Sequence, residues 1–197
     1  MQSDITTRKA LARSQAGMRR NAAFLSDQSG RDVAAAAAAF RQLLEARFGA
    51  ALPEIVLAGY MPMRSEISPL SIMEGHSGPV CVPVIKGRGQ PLEFHRWTVD
   101  MPMVEGNFKA LIPAQSDPLT PAALIVPLLA YDSNGYRLGY GGGFYDRTLE
   151  KLRKAGPVLA VGLAFDAQFC TDLPREETDQ QLDAVVTGSG VVWSKQH

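Results

Sequence analysis

The chain has 197 residues, 46% of them hydrophobic and 20% charged, and its twenty basic side chains balance twenty acidic ones. This length suits one domain over residues 1–197, and the balanced charge gives no reason to expect nucleic acid as a partner. The N-terminus lacks a signal-peptide core and the longest apolar run, about ten residues, is too short to span a bilayer, so we expect a cytoplasmic monomer that does not enter a membrane.

Two helices are predicted before the first strand. Residues 4–24 carry a basic bias, and Lys9, Arg13 and Arg20 fall on one stripe of that helix. The stripe is either a solvated basic face or a surface that supplies positive charge to a triphosphate. The second helix is predicted from near Ser29 to near Phe48. It contains six consecutive alanines, and alanine is the strongest helix former.

The remaining pattern predicts strands separated by helices. Short apolar or alternating runs indicate strands at 54–60, 79–85, 92–98, 122–130 and 158–165, with a last strand at 183–187. A short helix is expected from Met63, and residues 99–121 are expected to be a connecting loop. This order indicates an α/β fold: a mainly parallel sheet with flanking helices and a ligand crevice at the carboxyl ends of the strands.

One stretch stands out from the otherwise generic composition. Four glycines fall within residues 139–143, between a predicted strand and a helix predicted over 144–155. Free N–H groups of such a loop and the positive end of the helix dipole make an anion site. Arg137 before the loop and Asp146 and Arg147 after it add cations for phosphate and a carboxylate for a metal ion. The alternative is a glycine turn that only lets the helix pack on the sheet.

The run from Arg137 to Arg147, RLGYGGGFYDR, resembles the signature of the 5-formyltetrahydrofolate cyclo-ligase family, also called 5,10-methenyltetrahydrofolate synthetase. The resemblance implies an enzyme of one-carbon metabolism that uses ATP and Mg²⁺ to close 5-formyltetrahydrofolate into 5,10-methenyltetrahydrofolate, releasing ADP and phosphate. It also implies the NagB/RpiA/CoA transferase-like fold. Many relatives carry Lys or Arg inside the glycine run where this chain has Tyr140 and Gly142, so less positive charge is available in the loop.

The resemblance implies roles for individual residues. Arg137, Tyr145 and Asp146 are the expected catalytic residues, and Asp146 with Asp183, or Asp179, would hold Mg²⁺. The N-terminal Lys-x-x-Leu-Arg pattern of the family is matched only in part: aligning the charges selects Lys9 and Arg13, whereas aligning Leu11 selects Arg8 and Ala12. The expected ATP-binding residues are Lys9, Arg13, Arg137, Gly139, Tyr140, Gly141, Gly142, Gly143, Phe144, Tyr145, Asp146 and Arg147.

A second motif resembles the folate site of the family. Tyr60, Pro62 and Glu66 match Tyr-x-Pro-x-x-x-Glu, and a carboxylate can accept hydrogen bonds from the N–H edge of a pterin. Phe94 aligns with a family aromatic residue. The alternatives are an exposed acid in the first turn of a helix for Glu66, and core packing for Phe94.

Two rival functions remain open at this point. A sugar-phosphate isomerase or acyl-CoA-type enzyme on a similar sheet would use the glycine loop for phosphate without hydrolysing ATP. A non-catalytic regulator would bind the nucleotide without turnover. ATPase activity that appears only with 5-formyltetrahydrofolate separates all three.

Overall fold

The computed structural model describes residues 2–195. Its four α-helices are α1 (Gln2–Ser26), α2 (Arg31–Phe48), α3 (Leu70–Glu74) and α4 (Phe144–Ala155). Its eleven strands are β1 (Leu57–Ala58), β2 (Val80–Val84), β3 (Glu93–Arg96), β4 (Met103–Glu105), β5 (Leu111–Pro113), β6 (Ala123–Val126), β7 (Ala130–Tyr131), β8 (Arg137–Leu138), β9 (Leu159–Leu163), β10 (Ala184–Thr187) and β11 (Gly190–Ser194).

Seven strands form the central sheet, in the order β11-β10-β9-β6-β1-β2-β3. The five inner strands, from β10 to β2, run parallel, and the edge strands β3 and β11 are antiparallel to their neighbours. Two small antiparallel hairpins, β4-β5 and β7-β8, complete the strands. The predicted α/β class and mainly parallel sheet are therefore confirmed.

The sheet is buried on both faces, as its apolar strands require. Alternate residues of one strand enter opposite cores: in β6, Ile125 packs with Phe40 of α2, whereas Leu124 packs with Leu149 of α4. A third, smaller cluster joins Ala16 of α1 to Leu129 and neighbours from β7 and β8. Helix α1 thereby lies against the chain that leads into the glycine loop.

The second helix is capped by a residue that precedes its N-cap position. Gly30 is the N-cap residue, in a left-handed conformation, and makes no side-chain hydrogen bond. Asp27 supplies the capping instead: its carboxylate accepts hydrogen bonds from the backbone N–H groups of Asp32 and Val33, at 3.2 and 3.1 Å. The preceding turn brings this carboxylate back to the helix end.

Two predicted elements near residue 60 are shorter than expected. Residues 49–54 form a 3-10 turn that contains Pro53, so only Leu57–Ala58 pairs as a strand. The helix expected from Met63 begins at Leu70, because Arg64 has a positive φ of 57° and Pro69 disfavours helical backbone in the residue before it. Glu66 therefore lies in a turn and not in a helix.

Two further predictions are corrected by the structure, and one strand is added. Residues 99–121 are not simply a loop, because they contain the β4-β5 hairpin. The strand expected over 122–130 ends at Val126, before Pro127, which has no N–H to donate, and the chain then pairs with β8 as β7. The structure also adds edge strand β11, which was not predicted.

The structure also shows how apolar the helices are and the state of the two cysteines. Among the described residues, no helix is long and apolar enough to cross a membrane. Cys81 is buried and Cys170 is partly buried, and both are free thiols. Burial raises the pKa of the Cys81 thiol to about 12, so this side chain behaves as a core residue.

Candidate active site

The glycine loop leads directly into α4, as the sequence predicts. Gly141 and Gly143 have positive φ angles of 97° and 61°, and Gly143 is the N-cap residue of the helix. As a glycine, this N-cap residue offers no side chain to cap the helix. The first N–H groups of α4 and the positive end of its dipole therefore face the loop, which is the geometry of an anion site.

Arg137 and Asp146 form an ion pair beneath the loop. The Arg137 Nη2 atom donates to Asp146 Oδ1 at 2.8 Å, and its Nη1 atom donates to the Gln180 carbonyl at 2.6 Å. The backbone N–H of Gln180 also donates to Asp146 Oδ1, at 3.0 Å. The Arg137 side chain is 4% exposed and that of Asp146 is 26% exposed, so Arg137 orients Asp146 from below while Asp146 still reaches solvent.

The basic stripe of α1 faces this region, so it is not merely a solvated face. Arg13 Nε donates to the Gly139 carbonyl at 3.0 Å. Lys9 is buried, and its Nζ contacts Glu176 at 2.6 Å and Asp179 at 2.7 Å. The stripe thus places two cations beside the loop and beside the acidic segment that follows β9.

Arg147 and Phe144 cover the start of α4. The Arg147 guanidinium stacks over the Phe144 ring, 5.5 Å from its centroid, and donates to the Gly142 carbonyl. Phe108, at the tip of the β4-β5 hairpin, contacts the same ring edge-on with centroids 6.1 Å apart. The hairpin therefore reaches the start of α4, directly after the glycine loop.

Glu66 is a buried carboxylate with several polar neighbours. It is 5% exposed, which excludes the exposed helix-start alternative. Its Oε2 atom accepts a hydrogen bond from the Met63 N–H at 3.0 Å, and its Oε1 atom lies 3.7 Å from Arg20 Nη1. Burial raises the pKa of the Glu66 carboxyl above its ordinary value, although the Met63 N–H and the Arg20 charge oppose this shift.

Aromatic side chains surround this carboxylate. Tyr60 is 3% exposed and donates its hydroxyl to the Ile67 carbonyl at 2.5 Å. Burial raises the pKa of Tyr60 and of Tyr145, and the Glu66 charge adds to both shifts. Phe94 is 4% exposed and packs in the core cluster that contains Leu149, as in the core-packing alternative for this residue.

The acidic side chains predicted as metal ligands have different surroundings. Asp183 Oδ2 accepts from Arg153 Nη2 at 2.9 Å and from the Ala160 N–H at 2.8 Å, so it ties β9 to the chain before β10. Asp179 is paired with Lys9. Among residues 2–195, no group of three or more His, Cys, Asp or Glu side chains is arranged to hold a metal ion. A metal bound by Asp146 would need most of its ligands from phosphate and water, which is usual for Mg²⁺.

Sequence reasoning placed Arg20 on the basic stripe but did not include it among the expected ATP-binding residues. In the structure, Arg20 is 3% exposed, and its Nη2 atom donates to the Tyr140 hydroxyl at 2.7 Å. The sequence signal for a role of Arg20 in the site was its position on the same stripe of the helix as Lys9 and Arg13. Gln180, whose backbone holds both Arg137 and Asp146, carried no such signal, because its contribution comes from main-chain atoms.

Two cavities lie along α1, away from the glycine loop. Two open cavities of about 420 and 440 Å³ are found at the carboxyl-terminal half of α1, near Phe165, and neither is lined by a glycine-loop residue. At the loop, the cations instead contact carbonyl oxygens and carboxylates of the protein itself. A ligand bound there would take over these contacts.

Comparisons with known proteins agree with the motif. A model of the 5-formyltetrahydrofolate cyclo-ligase family matches residues 2–188. The curated 5-formyltetrahydrofolate cyclo-ligase of Escherichia coli (strain K12) is 54% identical over 70 residues, which are 34% of this chain and 37% of that protein. That of Haemophilus influenzae is 38% identical over 102 residues, 49% of this chain and 54% of that protein. These alignments thus span roughly a third to a half of the relatives' length.

Two solved structures share the fold. The Aquifex aeolicus 5,10-methenyltetrahydrofolate synthetase superposes with a TM-score of 0.69 at 22% identity, covering 96% of each chain. The Mycoplasma pneumoniae 5,10-methenyltetrahydrofolate synthetase superposes with a TM-score of 0.66 at 21% identity, covering 91% of this chain and 98% of the other. With its glycine loop, its fold and a family model that matches residues 2–188, this protein belongs to the 5-formyltetrahydrofolate cyclo-ligase family.

Proposed function

We propose that this protein closes 5-formyltetrahydrofolate to 5,10-methenyltetrahydrofolate, with ATP consumed and ADP and phosphate released in a Mg²⁺-dependent reaction. The observation that carries the proposal is that a candidate phosphate site and a buried carboxylate lie next to each other. A helix start without a side-chain cap, bordered by Arg13, Arg137 and Arg147, suits a polyphosphate, and it adjoins the buried Glu66 through Tyr140 and Arg20.

The nucleotide side of the site is the glycine loop. Residues 139–143 and the first turn of α4 offer N–H groups to the phosphates, and Lys9, Arg13, Arg137 and Arg147 offset their charge. Arg13 and Arg147 now contact loop carbonyls and Lys9 contacts carboxylates, so the phosphates would replace those partners, while Arg137 keeps its contact with Asp146. Phe144 and Tyr145 begin the helix beside them and complete the proposed ATP contacts.

Mg²⁺ fits the proposed site through one carboxylate. Asp146 lies in the first turn of α4, and only its Oδ1 atom is engaged by Arg137 and Gln180. When bound, Mg²⁺ would neutralise charge on phosphate oxygens. Asp183, the second predicted ligand, already accepts hydrogen bonds from Arg153 and Ala160 through Oδ2. We therefore propose Asp146 as the main protein ligand of Mg²⁺.

The folate side is assigned to the region around Glu66. Its carboxylate would accept hydrogen bonds from the N–H edge of the pterin, and Tyr60 and Phe94 are the predicted aromatic residues of this half-site. Burial keeps the Tyr145 hydroxyl protonated, so Tyr145 can donate a hydrogen bond to either ligand.

The proposed chemistry needs positioning more than it needs a reactive side chain. The formyl oxygen attacks the terminal phosphorus of ATP, a P–O bond forms, and ADP leaves. The neighbouring N10 nitrogen then attacks the activated formyl carbon and loses its proton, and the C–O bond breaks as phosphate departs. The protein holds the two substrates in line and neutralises the charge on the phosphates.

Release of ADP tests this proposal. We expect one ADP for each 5-formyltetrahydrofolate consumed, and only background release when the folate is left out. An isomerase or acyl-CoA-type enzyme would release no ADP in either case. ADP release at the same rate without the folate would contradict the proposal and indicate a simple ATPase.

A further inference from the structure

Arg20 is a buried guanidinium at the meeting point of three segments. It lies on α1, its Nη2 atom donates to the Tyr140 hydroxyl of the glycine loop at 2.7 Å, and its Nε atom donates to Ser65 Oγ at 3.3 Å. The guanidinium also stacks on the Tyr140 ring, 5.5 Å from the centroid. One side chain therefore touches both the glycine loop and the turn that carries Glu66.

One nitrogen of this guanidinium is left without a hydrogen bond. Among the described residues, Arg20 Nη1 is buried and has no hydrogen-bond partner. Glu66 Oε1 lies 3.7 Å away, which is close enough for charge attraction but too far for a hydrogen bond. An unsatisfied buried donor on a charged group is costly, and such groups in native proteins call for an explanation.

The unpaired Arg20 Nη1 atom is explained if it moves close enough to hydrogen-bond Glu66 when ligands bind. Tyr140 is 48% exposed and belongs to the loop proposed to receive the phosphates. A shift of this residue would move the guanidinium bonded to it, and a shift of a few tenths of an ångström toward Glu66 would bring Nη1 within hydrogen-bond distance. The carboxylate would then be held by both Arg20 and the Met63 N–H.

We propose that Arg20 is a positioning residue that couples the glycine loop to Glu66, so that binding of the nucleotide orients the carboxylate for the folate. This inference rests on the proposed function, because it assigns the nucleotide to the loop and the pterin to Glu66. Coupling between two ligands is reciprocal, so the folate must tighten nucleotide binding by the same factor.

Glu66 has further neighbours that affect its charge, and the test has to account for them. Arg20 on α1 and Arg64 in the turn favour the charged form, and so does a hydrogen bond from Tyr140. Tyr60 and Tyr145 face Glu66 from the end of β1 and from α4. Because Arg20 favours the carboxylate, its removal moves the acid limb of the folate kcat/KM profile to higher pH.

The experiment measures binding without turnover. The affinity of a non-hydrolysable ATP analogue with Mg²⁺ is determined by calorimetry, with and without saturating 5-formyltetrahydrofolate, in the wild type and in Arg20→Met, Arg20→Lys and Tyr140→Phe. In the wild type we expect the folate to tighten nucleotide binding by about fivefold or more. In Arg20→Met and Tyr140→Phe we expect the coupling factor to fall toward one. Arg20→Lys keeps the positive charge but lacks the forked N–H donors of the guanidinium, so it should retain part of the coupling.

Arg19→Met is the matched control. Arg19 is the next residue of the same helix, but it lines the cavity near Phe165 and Asp166, away from the loop. This variant should keep the wild-type coupling factor and the wild-type pH profile. Tyr140→Phe removes a single hydroxyl from a half-exposed side chain, so it tests whether the loop is coupled to Glu66 even if Arg20→Met does not fold. Because the Tyr140 hydroxyl also neighbours Glu66 directly, Arg20→Lys is the variant that tests whether Arg20 carries the coupling.

The outcomes separate this inference from the proposed function. A wild type that binds both ligands independently, or an Arg20→Met variant with unchanged coupling and an unchanged acid limb, would overturn the coupling role and leave the cyclo-ligase proposal intact. A folded wild type that binds neither ligand would overturn the proposed function and the coupling with it.

Discussion

The substitution Gly141→Ala tests the glycine loop most sharply. Gly141 has a φ of 97°, a conformation that L-residues rarely adopt, and an added Cβ would lie 3.0 Å from Cζ and 3.2 Å from Nη2 of Arg13. The methyl group would therefore strain the loop and displace the guanidinium that now contacts the Gly139 carbonyl. Both changes act on the proposed phosphate contacts.

The expected magnitude follows from the backbone strain. Left-handed backbone costs an L-residue about 1–2 kcal/mol, and a domain of this size loses about 2–4 °C in Tm for each kcal/mol. We therefore expect the Tm to fall by roughly 2–8 °C. If a comparable energy, about 1.4 kcal/mol, is lost from phosphate binding, the KM for ATP rises about tenfold.

Gly89→Ala is the control for strain alone. Gly89 also has a positive φ, 75°, but an added Cβ would meet nothing within 4 Å, and the residue lies in the turn after β2. Differential scanning fluorimetry and ATP titrations on both variants separate the two effects. If both lose similar Tm and Gly141→Ala keeps the wild-type KM for ATP, the loop is not the phosphate site.

Three further predictions concern single carboxylates. Burial raises the pKa of Glu66 in the folded protein, so the native state binds the carboxyl proton more tightly than the unfolded chain does. The stability that the protonated Glu66 contributes is therefore lost as the pH rises through the folded-state pKa. Urea unfolding of Glu66→Gln across pH 4 to 8 should show a flatter dependence than the wild type, and an equal slope would contradict the buried-carboxylate account. Asp27→Ala removes the cap of α2 and should cost about 1 kcal/mol without changing kcat, whereas Asp172→Ala, at a side chain that is 90% exposed, should cost almost nothing. Asp183→Asn weakens the bonds to Arg153 and Ala160 and should lower the Tm with a small change in the Mg²⁺ requirement; a large rise in that requirement would instead make Asp183 a metal ligand.

The parts of the molecule that follow from local sequence are those with strong local signals. Helix α4 occupies the predicted residues 144–155, because the glycine loop precedes it and Gly156-Pro157 follows it. The turn at Asp132 also has a local signal, because Asp favours turns: its Oδ1 atom accepts hydrogen bonds from the N–H groups of Asn134 and Tyr136. The mainly parallel sheet followed from strands that alternate with helices.

The parts that could not be predicted depend on distant residues. Lys9 binds Glu176 and Asp179, which are 167 and 170 positions away in sequence, so nothing near Lys9 indicates its partners. The sequence left open whether Glu66, predicted to bind folate, is instead an exposed acid in a first turn, and only the packing of α1 shows that it is buried beside Arg20. The β4-β5 hairpin has strands of three residues, too short for a recognisable period.

The central claim, cyclisation of 5-formyltetrahydrofolate at this site, is tested most directly by absorbance. The protein is mixed with 5-formyltetrahydrofolate, Mg²⁺ and ATP, and the near-ultraviolet band of 5,10-methenyltetrahydrofolate is followed, with Asp146→Ala alongside. We predict a rise that requires ATP and that is lost in the variant. A flat trace from folded wild-type protein, or an equal rise without ATP, would contradict the proposed function.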